Sequence, residues 1–240
     1  MVINKNRIYI GILLILSTFL FFFFKIDFIF LISLLIFVFV DLYKSKIITN
    51  NIQNILLTLF FIILYLLNYY NYLNLGFFII FFIFLNLSNL VIKKFSNYIF
   101  TFTLFIFLII FSETLFNNRN LIFLTIFISF INDTIAFVAG KNIGGKLITP
   151  NISPKKTWSG TVVSLLFSFI ILIYLNFDVF FSILLSLSLF FGDLFFSLIK
   201  RRLNIKDFSN SLGSHGGILD RIDSMFYFLI FLNFYNQFYV

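Results

Sequence analysis

Residues 197–223, SLIKRRLNIKDFSNSLGSHGGILDRID, are the stretch on which the fold turns. They hold five of the seventeen Lys and Arg residues, three of the nine acids, the single His and three of the ten Gly. On either side the chain is almost entirely Phe, Ile and Leu. A polar segment of both signs between apolar runs is costly near a bilayer unless it is partnered or functional. The chain therefore reads as a membrane scaffold that holds this segment at the lipid surface.

Working outward, composition agrees. Of 240 residues, 61% are hydrophobic and 11% charged, against about 25% charged in soluble domains. Mean hydropathy is +1.09. Cys is absent, which excludes a disulfide framework and thiolate metal sites. The 42 Phe are read largely as lipid-facing filler. At roughly 20 apolar residues per span, the pattern predicts an all-α polytopic membrane protein. Its nine transmembrane helices are expected at 8–24, 28–42, 52–70, 75–92, 98–115, 121–139, 158–175, 179–199 and 217–239. A polar loop at 140–156 carries both prolines, Pro150 and Pro154. Residues 1–116 form a block of scaffold and dimerisation helices, and residues 117–240 a second block with the chemistry.

Charge asymmetry orients these helices. With the N-terminus inside, fifteen Lys and Arg fall on the inner side, and only Lys25 and Arg119 fall outside. That split follows the positive-inside rule, so the net charge of +8 is a cytoplasmic-face charge. An inner-membrane, multi-pass location with a cytoplasmic site is expected. Basic residues divided among short loops make no continuous groove, which argues against nucleic-acid binding.

The same topology sorts the acids. Asp27, Glu113 and Asp178 lie near outer helix ends and Asp41 near an inner end, where solvated interface charge is the simpler account. Asp133 and Asp193 each precede a polar boundary by seven residues, about 10 Å inside the helix end. Asp220 and Asp223 are three apart at the start of the last helix, on one face. Four carboxylates at one depth need Lys or Arg partners or a metal ion. Asp207, in the loop, fits either role. An all-oxygen donor set points to Mg²⁺, whose shell is commonly completed by substrate phosphate. Lys155 and Lys156 before one helix, and Lys200 and Arg201 ending another, suit phosphate. So do His215, Gly216 and Gly217, which lead into a helix N-terminus. Together they describe a phosphoryl or nucleotidyl transfer site; a structural ion-pair set around Lys200 or Arg221 is the alternative.

The run Ser197-x-Ile199-Lys200-Arg201-x4-Lys206-Asp207-x-Ser209-x2-Leu212-Gly213-x-His215-Gly216-Gly217-Ile218-x-Asp220-Arg221-Ile222-Asp223 resembles the signature of the phosphatidate cytidylyltransferase (CDP-diacylglycerol synthase) family. Two further blocks are similar: Asn132-Asp133-x2-Ala136-Phe137-x2-Gly140-Lys141-x2-Gly144 and Ser153-Pro154-Lys155-Lys156-Thr157-Trp158-x-Gly160. Gly192-Asp193-Leu194 agrees as well. The chain departs from the family at Ser159 and Phe196, where acids are usual, at Phe137 and Lys141, where Tyr and Arg are usual, and at Gly213-Ser214.

The resemblance implies transfer of a cytidylyl group from CTP to phosphatidate, Mg²⁺ dependence and a homodimer in membrane lipid. Asp193 and Asp220 are expected to ligate Mg²⁺, with Asp223 a ligand or its supporting partner. Lys200, Arg201 and His215 join them in the catalytic set. Substrate binding is expected of Asp133, Lys141, Ser153, Lys155, Lys156, Thr157, Lys206, Asp207, Gly216, Gly217 and Arg221. The alternatives are a CTP-dependent lipid kinase, a synthase for another lipid phosphate, a cation-coupled transporter and a non-catalytic descendant.

Overall fold

The structure is a computed structural model that describes residues 19–21, 23–47, 96–213 and 216–239. The expected spans at 52–70 and 75–92, and most of the one at 8–24, lie outside the described residues, as does His215. The described elements are α1 (Asp27–Lys44), α2 (Ser96–Asn117), α3 (Arg119–Ile143), β1 (Leu147–Thr149), β2 (Ser153–Thr157), α4 (Trp158–Tyr174), α5 (Val179–Arg202), α6 (Leu219–Ile222) and α7 (Met225–Tyr239). Among the described residues two helices, α3 and α5, are long and apolar enough to cross a membrane, and α4 and α7 are shorter apolar helices.

Hydroxyl side chains inside these apolar helices would be costly if unpaired. They bond back to their own helix instead. Ser112 donates to the Ile109 carbonyl (2.8 Å), Thr114 to Ile110 (2.7 Å), Ser186 to Ser182 (2.7 Å) and Ser188 to Leu185 (2.6 Å). One hydrophobic core joins both blocks of the chain: Val38 and Leu42 of α1, Leu104 of α2, Ile199 of α5 and Leu229 of α7 share it.

Phe is more than filler. Phe100, Phe196, Phe208 and Phe226 are buried, with Phe100 and Phe208 stacked at 5.7 Å and Phe196 edge-on to Phe226 at 5.0 Å. Phe127, Phe180 and Phe191 remain exposed on the outer faces. Phe196, where the resemblance led to an acid being expected, is thus a core aromatic, and a carboxylate there would be desolvated without a cation.

Several contacts bring the C-terminal ends of α1 and α5 to one end of the bundle. Arg119, opening α3, pairs with Asp27, opening α1. At the opposite end Asp41 of α1 meets Ser209, just beyond α5. The two helices flanking the hairpin cross almost backbone to backbone: a Cβ at Gly160 would run into the Ala136 carbonyl, with the Gly140 backbone 3.1 Å away. Only Gly permits that approach. Gly192 of α5 is equally close to the Asp223 carbonyl.

Two expectations are corrected. The loop at 140–156 begins with the last turn of α3, to Ile143, and the rest is an antiparallel hairpin pairing Leu147 with Thr157 and Thr149 with Ser153. Ile152 N–H donates to the Thr149 carbonyl (3.1 Å), closing a turn with Pro150 in its second position, where the fixed φ of proline is favourable. Thr157 then caps α4 by accepting the Gly160 N–H at 3.2 Å. The run at 217–239 is not one helix. At Ser224 the backbone N–H donates to the Asp223 carboxylate (2.9 Å), a side-chain acceptor competing with the helical one, and the helix restarts at Met225.

Candidate active site

A cavity of about 470 Å³ opens between α3, α4, α5 and the hairpin. Of the residues expected from sequence, Asp133, Ser153, Lys155, Lys156, Thr157, Asp193 and Arg221 line it. α3 supplies Asp133, β2 the two lysines, and α5 Asp193. Lys156 Nζ lies 2.6 Å from Asp193 Oδ2 and 5.6 Å from the Phe190 ring centroid. Ser197, one turn on from Asp193, offers its hydroxyl at 3.4 Å. Asp133 accepts from Ser224 Oγ (3.1 Å), which is 2.6 Å from Ser129 Oγ. Arg221 and Lys156 both act electrostatically on Asp133.

Behind this wall is a more enclosed pair. Lys200 Nζ donates to Asp220 Oδ1 at 2.8 Å and lies 4.0 Å from Asp223 Oδ2. The other Asp220 oxygen accepts two backbone N–H groups, Phe208 (3.0 Å) and Gly217 (2.9 Å). Both Asp220 oxygens are therefore engaged, and its side chain is only 5% exposed. Asp193, at 30%, is the open carboxylate of the two. Lys200 thus makes an ion pair of the kind the alternative reading named, centred on Asp220.

The remaining expected residues are dispersed. Arg201 donates from Nε to the Ile152 carbonyl (2.9 Å), fastening the hairpin to the end of α5. Lys141, Lys206 and Asp207 are exposed and do not line the cavity. Gly216 and Gly217 pack beside Asp220 and Asp41 rather than along the cavity. Ser159, where the resemblance led to an acid being expected, donates to the Gly144 carbonyl and lies 3.1 Å from Thr157 Oγ1.

Sequence reasoning missed Thr161, Ser164 and Phe190 on the cavity wall. Their signal was present in outline, since Thr161 and Ser164 are three apart on α4 and follow the capping Thr157. Asn132, inside a quoted motif but without a role assigned, lines the cavity with its carbonyl oxygen unpartnered; it is an acceptor available to a ligand.

Fit to a divalent cation can be judged from the donors. Among the described residues no three Asp or Glu converge as a ready-made cage. Even so, Asp133, Asp193 and Asp223 lie close enough to repel one another. Lys156 sits on Asp193 where a cation would relieve that repulsion. The donors are all oxygen, the type that suits a hard cation rather than a thiolate- or imidazole-bound one. Chemically, the arrangement sets Lys155, Lys156 and Arg221 beside the carboxylates of Asp133 and Asp193 in one cavity.

Comparison with known proteins gives the cavity a context. The model of the Cytidylyltransferase family matches residues 5–239. A phosphatidate cytidylyltransferase of Rickettsia bellii is 39% identical over 139 residues, covering 51% of this chain and 60% of the relative. One from Aquifex aeolicus is 43% identical over 105 residues, 42% of this chain and 40% of the relative. The Arabidopsis thaliana protein named phosphatidate cytidylyltransferase 4, chloroplastic, is 44% identical over 102 residues, 38% of this chain and 26% of its own length. The chain spans between 54% and 60% of the length of the first four relatives it matches.

Proposed function

We infer the function from one premise: the chain belongs to the Cytidylyltransferase family, whose model it matches over residues 5–239. It transfers a cytidylyl group from CTP to phosphatidate, giving CDP-diacylglycerol and pyrophosphate. The observation that carries this is the cavity itself, in which Lys155, Lys156 and Arg221 stand beside Asp133 and Asp193.

A phosphate monoester has its second pKa near about 6 and is largely ionised at neutral pH, so no protein nucleophile is required. The phosphatidate oxygen forms a bond to the α-phosphorus of CTP, and the bond to the β-phosphate oxygen breaks, releasing pyrophosphate. The barrier is repulsion between two polyanions together with charge developing on the leaving group. Lys155, Lys156 and Arg221 neutralise those charges at the cavity wall. Lys156 exchanges the Asp193 carboxylate for a phosphate oxygen when substrate enters. Thr157, Ser153 and Asn132 orient the bound groups through hydrogen bonds.

Asp193, with Asp223 or Asp220, would hold Mg²⁺, which supplies charge neutralisation at the phosphates. Asp220 already holds Lys200 and the loop backbone, so Asp193 is the principal ligand in this account. The enzyme lies in the inner membrane as a homodimer, with the cavity end of the bundle toward the cytoplasm; the fifteen-to-two charge split supports that orientation. The test is formation of CDP-diacylglycerol by the purified chain from CTP and phosphatidate, and its dependence on Mg²⁺.

A further inference from the structure

Asp41 is distant from the cavity residues in sequence, and neither ligand nor phosphate chemistry calls on it. It lies one turn from the end of α1 and is fully buried, at 0% exposure. A carboxylate in that position must be satisfied by hydrogen bonds or by charge. Oδ1 accepts from Ser209 Oγ at 2.5 Å and from Ser211 Oγ at 2.8 Å. Oδ2 accepts the Leu219 backbone N–H at 2.9 Å. Gly217 is pressed against the same carboxylate so closely that a Cβ there would overlap both oxygens.

These contacts interleave with those of Asp220. Phe208 N–H goes to Asp220 and the neighbouring Ser209 hydroxyl to Asp41. Gly217 donates its N–H to Asp220 while its Cα faces Asp41. Leu219 N–H goes to Asp41, and the next residue is Asp220 itself. The loop between α5 and α6 is thus held between two carboxylates, one from each half of the chain. The same loop fixes Asp220, and through it Lys200, which reaches 4.0 Å from Asp223.

We propose that Asp41 is a positioning residue: its bonds to Ser209, Ser211 and Leu219 lock residues 208–213 to residues 216–219, and so set Asp220, Lys200 and Asp223 in register with the cavity. The geometry, rather than a negative charge at the reacting atoms, is what the site requires of Asp41. Its effect on turnover rests on the cytidylyl-transfer function above; its effect on the loop does not.

The experiment uses the full chain in lipid nanodiscs and two readouts on the same samples. Hydrogen exchange is measured at the amides of Phe208, Gly217 and Leu219, and CDP-diacylglycerol formation is measured per folded molecule. Asp41→Ala removes all three acceptor contacts. Exchange at those amides should rise at least about tenfold, and kcat should fall at least about tenfold with little change in KM, as expected for a small misplacement. Asp41→Asn can keep its oxygen toward Leu219 and turn its amide to the two serines, so it should stay within about threefold of the parent in both readouts. If Asp41→Ala folds poorly, Ser209→Ala with Ser211→Ala removes two of the three bonds from the loop side and should loosen the same amides. Unchanged exchange in either variant overturns the proposal. So does an Asp41→Asn variant as impaired as Asp41→Ala, which would assign Asp41 a charge role. If the parent chain makes no CDP-diacylglycerol, the transfer reading fails, and exchange alone still decides whether Asp41 locks the loop.

Discussion

Lys156 Nζ and Asp193 Oδ2 lie 2.6 Å apart, the ammonium also facing the Phe190 ring, so the carboxylate that α5 gives to the cavity wall is held by the second lysine after Pro154. Lysine and carboxylate can each exchange the other for a ligand of the right charge. Replacing Lys156 by Ala removes a charge-assisted contact worth about 1.5–3 kcal/mol, which corresponds to about 10- to 100-fold in rate. Lys156→Ala is therefore expected to lose that much kcat/KM for CTP while its thermal midpoint in detergent stays close to the parent value. Steady-state kinetics and a melting curve on one preparation check this.

Asp193 and Asp220 should separate when each is changed to Asn. Asp193→Asn leaves packing intact and should lower Mg²⁺-dependent turnover by about 10- to 100-fold or more. Asp220→Asn leaves Lys200, whose side chain is 12% exposed, with only the more distant Asp223 carboxylate at 4.0 Å, and breaking a buried pair costs up to about 3–5 kcal/mol. Its main effect should be a lowered thermal midpoint. The two variants showing the same melting behaviour and the same rate would argue against this division of labour.

The local blocks were legible in the sequence because their partners are near one another along the chain. Asp193 and Ser197 are one helical turn apart, and Lys155-Lys156-Thr157 run directly into α4. Hydropathy likewise marked α3 and α5 as long apolar helices. What was not legible depends on distant or competing contacts. Asp41 meets Ser209 across a separation of 168 residues, and nothing in the α1 sequence distinguishes it from an interface charge. The break at Asp223–Ser224 arises because a side chain takes a backbone N–H, which periodicity does not register. The hairpin at 147–157 was hidden by its shortness and its two prolines. Phe196 and Phe208 were indistinguishable in composition from the lipid-facing Phe residues, yet both are core.

Backbone contact between helices gives a stability prediction. Gly160→Ala would place a methyl group against the Ala136 carbonyl, and overpacking of this kind costs about 1–3 kcal/mol. A reduced melting midpoint with a widened cavity entrance, read as a higher KM for CTP, is the expected result. An unchanged midpoint would mean that α3 and α4 separate freely at this crossing.

Orientation can be tested with single cysteines, because the chain has none of its own. Asn117 and Asn210 are both exposed, near opposite ends of the bundle. In sealed inverted vesicles a membrane-impermeant maleimide should label Asn210→Cys and spare Asn117→Cys, and in intact cells the reverse. Labelling of both from one side would contradict the proposed topology.

Cytidylyl and phosphoryl transfer differ in which phosphorus of CTP reaches the lipid, so the position of a label in CTP decides between them. Purified chain is incubated with Mg²⁺, phosphatidate and CTP carrying ³²P at either the α or the γ position. Cytidylyl transfer puts label in the lipid product from α-labelled CTP alone, with γ-label recovered in pyrophosphate and Asp193→Asn giving little of either. Label passing to lipid from the γ position would identify a lipid kinase and overturn cytidylyl transfer, and label passing from neither, with folded protein and Mg²⁺ present, would overturn it outright.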